Sequence, residues 1–152
     1  MILLSGLCLG LQQSRKLAKR EEALLDLKGL IQRFRTEMHY STRPLNELIS
    51  GNQDSRFCCI AANDPDFLLF PKEALKRSGE RLFYETSDLE LYHGFVKGLG
   101  ESDVQGQIEH LALYENLLEA HLFQARENRE KKSRLYVCFG LFGGITLCLL
   151  LW

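Results

Sequence analysis

Apolar positions recur along this chain with the period of a helix, and they fall into a few stripes. Leu17, Leu24, Leu27, Ile31, Phe34 and Met38 follow at steps of three and four, apart from one gap at Arg20, while Glu21, Asp26, Lys28 and Arg35 take the opposite positions. That spacing puts the two sets on two faces of one helix. It predicts about seven turns, stopping near Tyr40 to Thr42. Pro44 suits the first position of a second, short helix through Leu45, Leu48 and Ile49 that ends at Gly51. Between Asn52 and Thr86, helix-compatible spacing recurs in Arg56 to Ala62, Asp66 to Phe70 and Lys72 to Phe83, separated by Asp64-Pro65 and by Pro71. The prolines permit short helices and no long one, and both suit a first helical turn. Ser87 with Glu90 reads as a capping box that opens a helix through Leu91, Phe95 and Val96, stopped at Gly98-Leu99-Gly100. Ser102 and Gln105 repeat the device. Val104, Ile108, Leu111, Leu118, Leu122 and Ala125 then form a second long stripe, interrupted by Glu115, with no glycine or proline after Gly106 until the apolar end. Short helices between two long ones predict an all-α fold, an antiparallel bundle of about six helices. The last helix is expected to run from Asp103 into the apolar end, roughly 75 Å at about 1.5 Å per residue.

The two ends have a different pattern. Residues 135–152 are eighteen residues without a charge, close to the roughly 20 needed to cross a bilayer. They predict a C-terminal transmembrane helix continuous with the last bundle helix. Gly140, Gly143 and Gly144 would form a flat strip on it where another helix could pack, or reflect only the frequency of glycine in membrane helices. Residues 1–11 are apolar too, but they lack a basic leader and a small-residue cleavage site. They either lie in the membrane interface or are the second half of a transmembrane helix whose start lies upstream. Residues 12–134 are then the bundle. Basic residues flank it on both sides, Arg15, Lys16, Lys19 and Arg20 after the first apolar segment, and Arg126, Arg129, Lys131, Lys132 and Arg134 before the last. The positive-inside rule therefore turns the bundle to the cytoplasm, with the basic residues also able to meet anionic lipid headgroups.

Composition removes function classes and adds none. The net charge of −1 with 26% charged residues gives no bias toward nucleic acid. Cys58 and Cys59 are adjacent, and Cys8, Cys138 and Cys148 lie in apolar segments, so neither a disulfide framework nor a Cys/His metal site is expected. His39, His93, His110 and His121 lack any metal-ligand spacing, and Glu109, Glu115, Glu119 and Glu127 read as a solvated helix face. The glycines from Gly98 to Gly106 match neither the dinucleotide fingerprint nor the phosphate loop. No nucleophile stands with a base, so neither an enzyme, a cofactor nor a small-molecule substrate is expected.

Several separated segments carry a resemblance. These are Gly94 to Asp103, with Gln107, His110 and Leu111; Arg126 to Tyr136 and Gly140 to Gly144; and Met38-His39-Tyr40 with Arg43-Pro44-Leu45. Together they closely resemble the stage III sporulation protein AB family over nearly the whole chain, most weakly from Asn52 to Leu82. The resemblance implies an endospore-forming bacterium and a soluble part similar to the helical domain of type II secretion F proteins. By it the protein would sit in the mother-cell membrane beside the stage III sporulation ATPase and the other stage III A membrane proteins, in the channel linking mother cell and forespore. The different class of reading is a membrane-anchored helical adaptor that recruits a partner with no channel role.

Overall fold

The computed structural model describes secondary structure for residues 2–41 and 43–150, and side chains for residues 15–41 and 43–131. Six helices follow one another: α1 (Ile2–Tyr40), α2 (Leu45–Gly51), α3 (Arg56–Ala62), α4 (Pro71–Leu82), α5 (Thr86–Gly98) and α6 (Val104–Leu150). Among the described residues there is no strand, so the all-α class predicted from the stripes holds. Among them, too, no helix is long and apolar enough to cross a membrane. The membrane segment expected at 135–152, with Gly140, Gly143 and Gly144, and the apolar segment 1–11 lie outside the described side chains.

Several boundaries depart from the sequence reading, each for a local reason. The first helix begins at Ile2, because Gln12, Gln13 and Ser14 place no breaker between the apolar start and the amphipathic stripe. Pro44 stands one position ahead of α2, with φ −65° and ψ 154°. Its carbonyl accepts the Leu48 amide at 3.1 Å. Asp66 to Phe70, expected as a helix, is a run of turns, bounded by Pro71 at the first turn of α4. The capping box at Ser87 does not form. Helix α5 starts two residues earlier, with Glu85 at the cap position and no side-chain cap, and Asp88 of its first turn points into the interior. Asp103, rather than Ser102, caps α6, its Oδ1 accepting the Gly106 amide at 3.1 Å.

The chain forms two compact units, Met1–Glu21 with Phe123–Trp152, and Glu22–Leu122. In the first, Glu21 of α1 accepts hydrogen bonds from Arg129 at 2.8 Å and Arg126 at 3.2 Å of α6, and Ala125 is buried. In the second, α1 and α6 run antiparallel: Lys28 meets Glu119 at 2.8 Å, and Gln32, further along α1, meets Glu115, earlier on α6, at 2.6 Å. Arg35 also reaches Glu115, at 3.3 Å. Glu115, half-buried, is therefore a tie along the seam between the helices, and the solvated-face reading is corrected for it, while Glu119 meets Lys28 from a side chain that stays exposed, as expected. Asp26 is likewise more than a polar-face residue. Its Oδ2 accepts the Arg56 amide at 2.9 Å and so caps the start of α3 from α1, where Ser55 offers no side-chain cap.

The core of this larger unit is built from Leu24, Leu27, Leu30, Ile31 and Phe34 of α1, joined by residues of every other helix. Its centre is aromatic. Tyr92 of α5 is fully buried, stacked on Phe57 with ring centroids 4.9 Å apart and beside Phe83 and Phe95 at 5.7 and 6.0 Å. Close helix approach depends on glycine. A Cβ at Gly98 would lie 2.1 Å from the His110 ring, and one at Gly94 2.3 Å from the Tyr114 hydroxyl. These two glycines, one turn apart, let α5 press against α6. A Gly98→Val variant is expected to lose about 2–3 kcal/mol of stability through overpacking, checked by urea denaturation. His110, whose Nε2 donates to Phe95 O over 2.9 Å, would have to leave that position.

Candidate partner-binding surface

At the end of the larger unit away from Glu22 and Leu122, the α1–α2 junction meets the α5–α6 junction. A cleft of about 380 Å³ opens there, lined by Met38, Ser41, Arg43, Pro44, Leu45 and Leu48 on one side and by Gly100, Ser102, Val104 and Gln107 on the other. Two of the segments that carry the family resemblance, separated by about a third of the chain, thus form opposite walls of one cleft. Val104, expected in the buried stripe, is exposed at its edge.

Both walls are fixed by polar clamps. Buried Gln107 accepts the Gly100 amide at 3.0 Å and donates to Gly98 O and Ser102 Oγ, both at 2.9 Å. Gly100 has φ +75°, a conformation costly for residues with a Cβ. On the other wall, buried Asn52 donates to Glu37 Oε1 at 2.7 Å and to Leu48 O at 2.9 Å. Arg43 is the one charged residue lining the cleft. It approaches Glu37 Oε2 only to 3.9 Å, and its side chain is 55% exposed.

The remaining sequence candidates disperse. Of the basic residues expected near the membrane, Arg15, Lys16 and Lys19 are exposed and Arg20 is half-buried. Arg129 is tied to Glu21, and Lys131 to Glu127 at 2.6 Å. Lys132 and Arg134 lie outside the described side chains. Of the histidines, His121 holds the fully buried Asp88 at 2.7 Å, a pairing that no sequence spacing announced. Burial pushes the Cys58 thiol up to about 12, with Asp26 adding to the shift, so it stays protonated and unreactive. Among the described residues no group of three His, Cys, Asp or Glu could hold a metal ion.

Three carboxylates lie below their ordinary range for one reason. The Arg129 hydrogen bond lowers Glu21, the Arg77 hydrogen bond lowers Asp64, and the Lys28 hydrogen bond lowers Glu119. Each therefore contributes stability that is complete above the unfolded values of 4.5 and 3.8 and is lost as pH falls through the folded ones. The thermal midpoint is expected to be flat from neutral pH down to about 5 and to fall below it. Glu21→Gln should lower the neutral plateau and soften that acid slope.

The helical bundle carries a clamped, largely apolar cleft at one end of its larger unit, and comparison with known proteins places the bundle in a family. The stage III sporulation protein AB family matches residues 1–56 and 61–152; the chain belongs to this family and has a role in sporulation. A solved structure described as stage III sporulation protein AB (SpoIIIAB) matches with a TM-score of 0.61 at 21% identity, over 74% of this chain and 98% of that one, which shows a shared fold. No curated protein sequence matches the chain.

Proposed function

We propose that the protein is a non-enzymatic, membrane-anchored assembly component of endospore formation. Its bundle faces the mother-cell cytoplasm and engages the stage III sporulation ATPase, beside other stage III A membrane proteins, in the channel between mother cell and forespore. One observation carries the reading. The match of the stage III sporulation protein AB family to residues 1–56 and 61–152 supports a role in endospore formation carried by a bundle rather than by a catalytic constellation. The charge-free segment 135–152 supplies the anchor, and the flanking basic residues set its orientation.

The test is a titration of the full chain, reconstituted in lipid nanodiscs, with the purified ATPase. Saturable binding is expected, without nucleotide hydrolysis by the chain alone. Absence of binding would remove the ATPase from the proposal, and nucleotide turnover by the chain alone would overturn its non-enzymatic character.

A further inference from the structure

The loop between α3 and α4 exposes three large apolar side chains in a row, Leu68 at 85%, Leu69 at 77% and Phe70 at 59%. It is held rigid from below. Arg77 binds Asp64 through two hydrogen bonds of 2.6 and 2.9 Å and reaches Asp66 at 3.3 Å. The Asp66 amide is bound by Asp64 Oδ1 at 3.0 Å, and Phe67 is buried. Ordering such a loop on binding costs little, because it is ordered already. A run of exposed apolar side chains on a fixed loop marks an interaction site.

The loop lies at the same end of the unit as the cleft. Lys72, just past Phe70, binds Lys97 O and, at 3.1 Å, Glu101 of the α5–α6 junction that forms one cleft wall. The two surfaces are complementary. The loop offers apolar side chains beside the exposed carboxylate of Asp66, and the cleft offers an apolar volume of about 380 Å³ beside the exposed guanidinium of Arg43.

We infer that this end of the bundle pairs with a second copy of the chain, the Leu68 to Phe70 loop of each copy seated in the cleft of the other and Asp66 facing Arg43. Because loop and cleft adjoin on one end, the contact can be reciprocal about a two-fold axis, the arrangement that closes a homodimer without leaving a free loop. The Asp66–Arg43 pair fixes orientation, and the apolar side chains supply most of the affinity.

The experiment uses the full chain in detergent micelles, as an equal mixture of isotopically light and heavy copies, with benzoylphenylalanine at position 69 of the light copy alone. Photolysis is expected to give light-to-heavy cross-links at residues 38–48 or 100–107. In sedimentation equilibrium, Leu69→Asp and Arg43→Glu should each weaken the dimer at least about tenfold, and adding Asp66→Lys to Arg43→Glu should restore part of the loss. A monomer at all concentrations would overturn the inference. So would cross-links that map outside the cleft, including those expected of a dimer held through Gly140, Gly143 and Gly144.

Discussion

A Tyr92→Ala variant is expected to lose about 4 kcal/mol of stability, the range for removing a large aromatic side chain from a packed core, read as a shifted urea midpoint. Three aromatic rings surround Tyr92 within 6.0 Å, and its hydroxyl donates to Leu75 O at 2.7 Å beside Ser78 Oγ at 3.0 Å. Burial holds the phenol well above its ordinary pKa. Gly79 lies so close to the ring that a Cβ there would stand 2.2 Å from it, so the backbone of α4 packs directly on Tyr92. The Tyr92→Phe variant separates ring from hydroxyl. Ser78 already donates to the same Leu75 carbonyl at 2.6 Å, so losing the hydroxyl should cost only about 1 kcal/mol. Equal losses in the two variants would contradict this division.

Removing the imidazole of His121 is expected to cost about 2 kcal/mol, because the fully buried Asp88 loses a hydrogen-bond partner in the interior. Asp88 is wholly buried, and His121 Nδ1 stands 2.7 Å from its Oδ1. His121→Leu would leave the carboxylate in the interior without this hydrogen bond. Asp88→Asn, which keeps shape and hydrogen-bonding capacity, should cost about 1 kcal/mol. The double variant Asp88→Leu with His121→Leu should recover part of the single loss, since an apolar pair carries no desolvation penalty. Urea denaturation of the three variants measures this. A His121→Leu variant as stable as the native chain would show that the pair does not hold α5 to α6.

What could be read before the structure was the part of the fold that repeats. Stripes at steps of three and four located α1 and α6, and Pro44, Pro71 and Gly98 bounded the helices between them to within a residue or two. What could not be read depends on residues far apart in the chain. Asp88 sits in the first turn of α5, where an acidic residue ordinarily serves the helix terminus, and only the approach of His121, 33 residues on, makes it an interior group. Glu115 interrupted an apolar stripe because it takes Gln32 and Arg35 of the opposing helix. The cleft was half legible. Its two walls, Met38 to Leu45 and Gly94 to Gln107, were singled out by resemblance, but no local pattern says that the two junctions meet. Asp66 to Phe70 has helix-compatible spacing, yet Pro71 and the Asp64–Arg77 ties hold it as turns and expose the side chains that a helix would have turned inward.

The measurement that tests the central claim most directly is the distribution of the stage III sporulation ATPase between membrane and soluble fractions of sporulating mother cells, with and without this chain. If the bundle is the membrane-anchored holder of that ATPase, the ATPase should sediment with the membrane when the native chain is present and move to the soluble fraction when it is deleted. An ATPase distribution unchanged by the deletion would contradict the account.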